Sequence, residues 1–222
     1  MQKSITKSIV RRVDSPTKMD KLILPRPHLS WSAINCWMSN PERFRREYFE
    51  NGKKLDTKYL RFGKGIAELA EQGKLKKLLP DLVVYDTPEF RMECEVSGVP
   101  LLGFIDSYDS KNNVFIEMKT GKHPWTQAKV QKHDQLTLYA TMLKQITGKI
   151  PEYCDLVWIE TKEGSVEVED FWRTNEKQIN CTGKIVTFRR EFDEREIDRM
   201  EFIVQKAAEE ISEAYKEFIK EI

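Results

Sequence analysis

The chain has 222 residues, 40% of them hydrophobic and 33% charged, which is enough for one well-cored globular domain with helical additions. Its 37 Lys and Arg face 36 Asp and Glu, a formal net charge of +1, so no global excess of either sign marks it for a polyanion or a polycation. No apolar run approaches the roughly 18 residues needed to span a membrane, and the polar start of the chain lacks the apolar stretch of a signal peptide, so a cytoplasmic protein is expected.

Taken in order, residues 1–27 read as a loosely ordered arm, polar and closed by Leu24-Pro25-Arg26-Pro27. A single domain is expected from residue 28 to 222. His28 to Met38 reads as a short helix with Ser30 as N-cap. Asn40-Pro41 starts a second helix, because Asn caps well and Pro suits the first helical position. Asn51-Gly52 breaks it. A third helix is expected from about Thr57 through Lys76, with a weak point at Gly63 and Gly65. Three strands follow, at Arg91–Val96, Leu101–Tyr108 and Val114–Lys119, and their short Gly and Asn turns predict an antiparallel meander.

Trp125 to Ile146 reads as one long helix closed by Gly148. Tyr153 to Glu160 is a further strand, and Ser165–Phe171 with Lys184–Arg189 could form a hairpin. Glu194 to Ile222 is an amphipathic helix with Ile197, Met200, Val204, Ala207 and Ile211 along one side. The order helix, strands, helix, strand predicts an α/β (α+β) domain. Cys36, Cys94, Cys154 and Cys181 are widely separated and form no metal-binding pair, so reduced thiols are expected.

The sharpest local feature is Gly103-Phe104-Ile105-Asp106 followed by Glu117-Met118-Lys119-Thr120-Gly121. Charges within apolar strand-like runs are costly to bury unless paired or bound to a metal. Residues two apart on a strand share a face, so Glu117 and Lys119 point the same way. If the preceding strand brings Asp106 alongside, two carboxylates and an ammonium surround one point. Oxygen donors of this kind suit Mg²⁺, with the Met118 carbonyl as a further donor. Lys119 would then orient or help deprotonate a water and stabilise a phosphoryl transition state. The plainer alternative is a cross-strand salt bridge on a solvated sheet face.

Gln131, Gln135 and Tyr139 are spaced by four and would form one polar stripe on the long helix, facing the active site or a DNA phosphate. Lys122, Lys129 and Lys132 cluster near the same site and, with Gln131, are candidate DNA contacts. Among the tryptophans, Trp37 reads as core. Trp31 and Trp125 are candidates to stack on bases, Trp125 the better placed.

Together these residues resemble the PD-(D/E)XK nuclease superfamily, and within it the RecB-like and phage-type exonucleases. The resemblance is carried by Leu29-Ser30-Trp31-Ser32, Asn40-Pro41-Glu42-Arg43-Phe44, Phe62-Gly63, Gly103-Phe104-Ile105-Asp106, Glu117-Met118-Lys119 and Gln135-Leu136-Thr137-Leu138-Tyr139. It implies a central mixed β-sheet flanked by helices, a restriction-endonuclease-like core. It also implies hydrolysis of DNA phosphodiesters with Mg²⁺ or Mn²⁺, in phage recombination, replication or repair. Asp106 and Glu117 would be metal ligands, Lys119 the catalytic lysine, and Gln135 and Tyr139 supporting residues. Many RecB-like members carry a metal-binding His where this chain has Ala67. Glu71 or Glu68 could supply the missing ligand. Asn40 replaces a cysteine that iron–sulfur members require, so no cluster is expected. Ring-shaped trimers exist among related phage exonucleases, which leaves room for a homo-oligomer or a recombination partner protein. An endonuclease of the same fold and a catalytically inactive DNA-binding protein remain as alternatives.

Overall fold

The computed structural model describes residues 21–53, 56–74, 79–163 and 179–222. In chain order the elements are α1 (Trp31–Ser39), α2 (Pro41–Phe44), a π-helical turn (Arg45–Phe49), α3 (Lys58–Glu71), β1 (Thr87–Val96), β2 (Val99–Asp109), β3 (Val114–Gly121), α4 (Gln127–Gln131), α5 (Asp134–Thr147), β4 (Cys154–Glu163), β5 (Ile179–Arg190) and α6 (Glu194–Glu221). The strands form one sheet in the order β1-β2-β3-β4-β5. The β1–β2, β2–β3 and β4–β5 pairs are antiparallel and β3–β4 is parallel, so the sheet is mixed, as expected. The parallel step is what α4 and α5 make possible, since parallel neighbours need a long crossover.

Both faces of the sheet are covered, and the sequence of β4 shows why. Cys154, Leu156 and Trp158 point into a core with α1, α5 and α6. Val157 and Ile159 point the other way, onto Phe62, Ile66 and Leu69 of α3 and Ile116 of β3. A strand buried on both faces reads as a near-continuous apolar run. Each such side chain contributes roughly 1.5–3 kcal/mol on burial, so a charge introduced at Trp158 or Ile159 would be enough to unfold the domain.

The capping signals are used as written. The Ser30 side chain accepts from the Ala33 amide, and that of Asn40 accepts from the Arg43 amide. Asp193 and Glu196 form a reciprocal capping box that starts α6. Gly148 ends α5 at φ +75°, a conformation that favours glycine. The arm is described from Lys21 onward. There Leu22 and Leu24 pack on the core, and the Ile23 amide donates to Ser212 Oγ at 2.9 Å. Residues 1–20 and the expected strand at Ser165–Phe171 lie outside the described residues.

Several boundaries differ from the sequence reading; β5, for one, spans Ile179–Arg190 and pairs with β4. β1 begins at Thr87, four residues earlier than expected. α3 runs through Gly63 and Gly65 and stops at Glu71. The expected helix from Trp125 to Ile146 is two helices, broken at Lys132–His133. The break has a cause. The carbonyls of Val130 and His133 accept hydrogen bonds from the buried Arg190 guanidinium at 3.2 and 2.9 Å. The Val130 carbonyl also accepts from the His133 amide at 3.1 Å, a tight turn that closes α4. Among the described residues no helix is long and apolar enough to cross a membrane. Cys36, Cys94, Cys154 and Cys181 form no disulfide with one another.

Candidate active site

The site forms where two strands part. β2 and β3 pair only at Ser107–Ile116, Tyr108–Phe115 and Asp109–Val114. One residue further, Asp106 stands opposite Glu117. There the Asp106 side chain does the ladder's work: its Oδ2 accepts from the Met118 amide at 2.6 Å. The parting leaves an open cleft of about 510 Å³, lined by Asp106, Glu117, Met118, Lys119, Thr120 and, from α3, Lys64.

Glu117 and Lys119 share a face, as strand geometry requires, and pair directly, with Nζ donating to Oε1 at 2.7 Å. Lys119 also donates to Gln135 Oε1 at 2.8 Å, and Gln135 Nε2 donates to the Tyr139 hydroxyl at 2.9 Å. A continuous chain therefore runs from α5 to the carboxylates. Tyr139 reaches it because residue 103 is glycine: a Cβ there would lie 3.2 Å from the Tyr139 ring and 3.2 Å from Met142 Sδ. Five of the sequence-derived candidates, Asp106, Glu117, Lys119, Gln135 and Tyr139, thus come together, with the Met118 backbone among them.

The electrostatics show what the cluster lacks. Burial pushes the Asp106 carboxyl well above the usual carboxylate range, and the charge of Glu117 adds to the shift. The Met118 amide and Lys119 oppose it. Burial works against the Lys119 ammonium, but the charge and hydrogen bond of Glu117, with help from Asp106, outweigh that and hold its pKa above normal. Tyr139 is pushed up by burial and by Glu117, so it is a neutral hydroxyl. With Asp106 ionised, two carboxylates face one ammonium, and among the described residues buried Glu117 Oε2 has no hydrogen-bond partner. An unanswered buried carboxylate oxygen is expensive. This donor set fits a divalent cation, with Asp106, Glu117 and the Met118 carbonyl as its holders. Among the described residues no third His, Cys, Asp or Glu joins them.

Other candidates are placed differently. Gln131 ends α4 and is exposed, and the break at Lys132–His133 leaves it on a different helix from Gln135 and Tyr139. Glu68 is exposed and is absent from the cleft lining. The side chain of Glu71 lies outside the described residues. Lys122 and Lys132 are exposed on the segment that follows β3. Trp125 is half-buried: it packs on His133 with ring centroids 4.9 Å apart and carries Lys129 Nζ 4.1 Å above its ring. Trp37 is core, as expected, with its indole donating to Glu210.

Sequence reasoning passed over Arg190. It is buried and donates to Thr137 Oγ1 and Glu196 Oε1, both at 2.8 Å, besides the two carbonyls. Its position at the end of β5, beside Arg189 in a charged stretch, carried no sign of burial. Only the turn to a helix cap three residues later hinted at a fixed geometry there.

The sequence profile of the PD-(D/E)XK nuclease superfamily matches residues 42–221. Among solved structures the chain is similar to a phage-related exonuclease from Haemophilus somnus 129PT. Identity is 21%, with 86% of this chain and 82% of that one covered and a TM-score of 0.50. It is also similar to an alkaline exonuclease from Laribacter hongkongensis (14% identity, 87% and 92% covered, TM-score 0.50). A protein from Eubacterium rectale gives 12% identity, 85% and 81% coverage and a TM-score of 0.52. No curated protein matches. The structural likenesses speak to the fold, a mixed sheet with flanking helices. The profile spans most of the chain and includes every residue of the cluster, so the chain belongs to the PD-(D/E)XK nuclease superfamily.

Proposed function

We propose that this protein is a metal-dependent deoxyribonuclease that hydrolyses phosphodiester bonds from DNA ends, in phage recombination, replication or repair. One observation carries the reading: Asp106, Glu117 and Lys119 converge where β2 and β3 part, with a buried carboxylate oxygen left unanswered. Superfamily members generally use divalent metals, and Mg²⁺ or Mn²⁺ suits an all-oxygen donor set. When bound, the ion supplies Lewis acidity toward the phosphate and the attacking water.

The chain's own residues do the rest. Asp106 and Glu117 present negative oxygens from adjacent strands, and the Met118 amide fixes the Asp106 carboxylate in place. Lys119 is charged and held by Glu117 and Gln135, so it can donate to a phosphate oxygen as charge builds there. Gln135 and Tyr139 restrain the lysine without adding charge. Lys122 and Lys132, exposed on the segment after β3, would contact neighbouring phosphates.

Action from ends is favoured by the two structurally similar proteins described as exonucleases. The test is cleavage of linear end-labelled DNA against a closed circle of the same sequence, in Mg²⁺ and in Mn²⁺. Release of nucleotides from the linear DNA alone, abolished by EDTA and by Lys119→Ala, is the expected result. Cutting of the circle would make the enzyme an endonuclease. No cleavage of either DNA would overturn the enzymatic reading.

A further inference from the structure

β2 has a bare stretch on the edge that faces β3. At one end Leu29 bridges Leu101, and the Leu102 amide donates to the Leu29 carbonyl at 2.8 Å. At the other end β3 takes up pairing only at Ser107. Between them, among the described residues, no strand pairs with this edge. Phe104 and Asp106 lie on this stretch two residues apart, so they share a face. Asp106 lines the cleft already described, and Phe104 lines a second one.

The second cleft is about 490 Å³, within the range of roughly 300–1,000 Å³ typical of small-ligand sites. Its lining is mixed. Trp31 and Phe104 supply aromatic surface, Ser30 and Ser32 supply hydroxyls, and the Arg26 guanidinium lies 4.5 Å over the Tyr48 ring. Phe104 is 45% exposed although Gly103 and Ile105 on either side of it are buried. Trp31 is half-buried against the core, so its ring is held in position. Gln135 and Tyr139 form part of the wall, and Gln135 is the residue that bonds Lys119. The two clefts are thus neighbours across one side chain.

We infer that the second cleft holds one unpaired nucleotide of the substrate strand, next to the phosphate that is cut, with its base stacked on Phe104 and Trp31. The inference rests on the nuclease reading and narrows the substrate to DNA with a single-stranded end. A base paired within a duplex has both faces occupied by its stacked neighbours, whereas an unpaired base offers a face to an aromatic ring. Stacking of this kind is tolerant of base identity, so no sequence preference is expected from it.

The experiment is binding in EDTA, where no cleavage occurs, followed by fluorescence anisotropy. The probes are a labelled oligothymidylate and a labelled blunt duplex of equal length. The proteins are the natural chain, Phe104→Ala and Phe104→Trp. The natural protein should prefer the single strand. Phe104→Ala should weaken single-strand binding by roughly tenfold or more while leaving duplex binding and thermal stability unchanged. Phe104→Trp should restore it. Equal loss on both DNAs, or no loss on either, would overturn the inference while leaving the nuclease reading intact. If the natural protein binds neither DNA, the inference falls, while the nuclease reading stands or falls with the cleavage assay in Mg²⁺ and Mn²⁺.

Discussion

Helix α5 serves two buried charge clusters from residues only two apart, and they are built on opposite terms. Thr137 belongs to the Arg190 cluster, and Gln135 and Tyr139 to the carboxylate cluster. The Arg190 guanidinium is almost fully answered, by two carbonyls, a hydroxyl and Glu196, with only Nε lacking a partner among the described residues. Glu196 is shared with the capping box of α6, so the charge pair also fixes where the last helix begins. In the carboxylate cluster one Glu117 oxygen has no partner among the described residues and Asp106 resists ionisation. A fold that can satisfy one buried charge this completely does not leave another unsatisfied for want of means. The difference separates a structural charge from one kept ready for something that binds.

The largest test of this contrast is Lys119→Ala. If the carboxylate cluster exists for chemistry, the variant should lose about a thousandfold or more in the rate of DNA hydrolysis, on the scale of other lost electrostatic donors. Its thermal midpoint should fall by less than that of the arginine variant below, because Glu117 loses its partner but lines a cleft that water can enter. A variant that cleaves at near-normal rate would move the catalytic role elsewhere.

Arg190→Met should show the reverse. It leaves two carbonyls, Thr137 and Glu196 without their donor. Breaking one side of a buried pair costs roughly 3–5 kcal/mol, and here the lower end applies, since the Glu196 side chain is 31% exposed and can rehydrate. For a domain of this size about 3 kcal/mol corresponds to a fall of about 6–12 °C in thermal midpoint. DNA hydrolysis measured well below that midpoint should survive. A midpoint within a degree of the natural protein would show that the arginine is not the structural anchor described above.

These two clusters also mark how far the sequence could be read. Asp106, Glu117 and Lys119 were legible because strand periodicity puts Glu117 and Lys119 on one face and apolar neighbours make charges there conspicuous. The remaining step, bringing Asp106 opposite Glu117, follows from a tight meander. Gln135 and Tyr139 were found through helical spacing, and the same rule misplaced Gln131. It failed there because the helix is broken by an arginine about 60 residues away, which no local pattern records. The parting of β2 from β3 was equally hidden: whether a ladder continues or stops depends on the twist of whole strands. The preference of Phe104 for a cleft over the core is invisible in a run that reads as apolar throughout.

Asp106→Asn probes the stored penalty directly. Asparagine can still accept from the Met118 amide, while the unfavourable charge beside Glu117 is gone. Because folding raises the Asp106 pKa, the ionised aspartate disfavours the folded state as pH rises above the usual carboxylate range. Without added metal at neutral pH, the variant should therefore be more stable, by about 0.5–2 kcal/mol, as residues at functional sites often are when neutralised. Added Mn²⁺ should stabilise the natural protein and not the variant, which can be read from melting curves alone. A variant less stable than the natural protein in EDTA would mean that the carboxylate serves the fold.

A last test lies between the clusters, at His133. Burial lowers its pKa to about 4, and the charges of Lys119, Arg190 and Lys129 push the same way, against a weaker opposing effect of Asp134. A histidine depressed in the folded state contributes stability that is complete above its unfolded pKa of about 6.5 and is lost as pH falls toward about 4. The ring is only partly buried, so solvent screening reduces the effect to about 1–2 kcal/mol. His133→Phe keeps the contact with the Trp125 ring and removes the titration. Urea midpoints of the two proteins at pH 7 and pH 5 should converge or cross, the natural protein losing more. The comparison between variants cancels the carboxylates that titrate in both. Parallel losses would show that the positive charges around the ring are better screened than their placement implies.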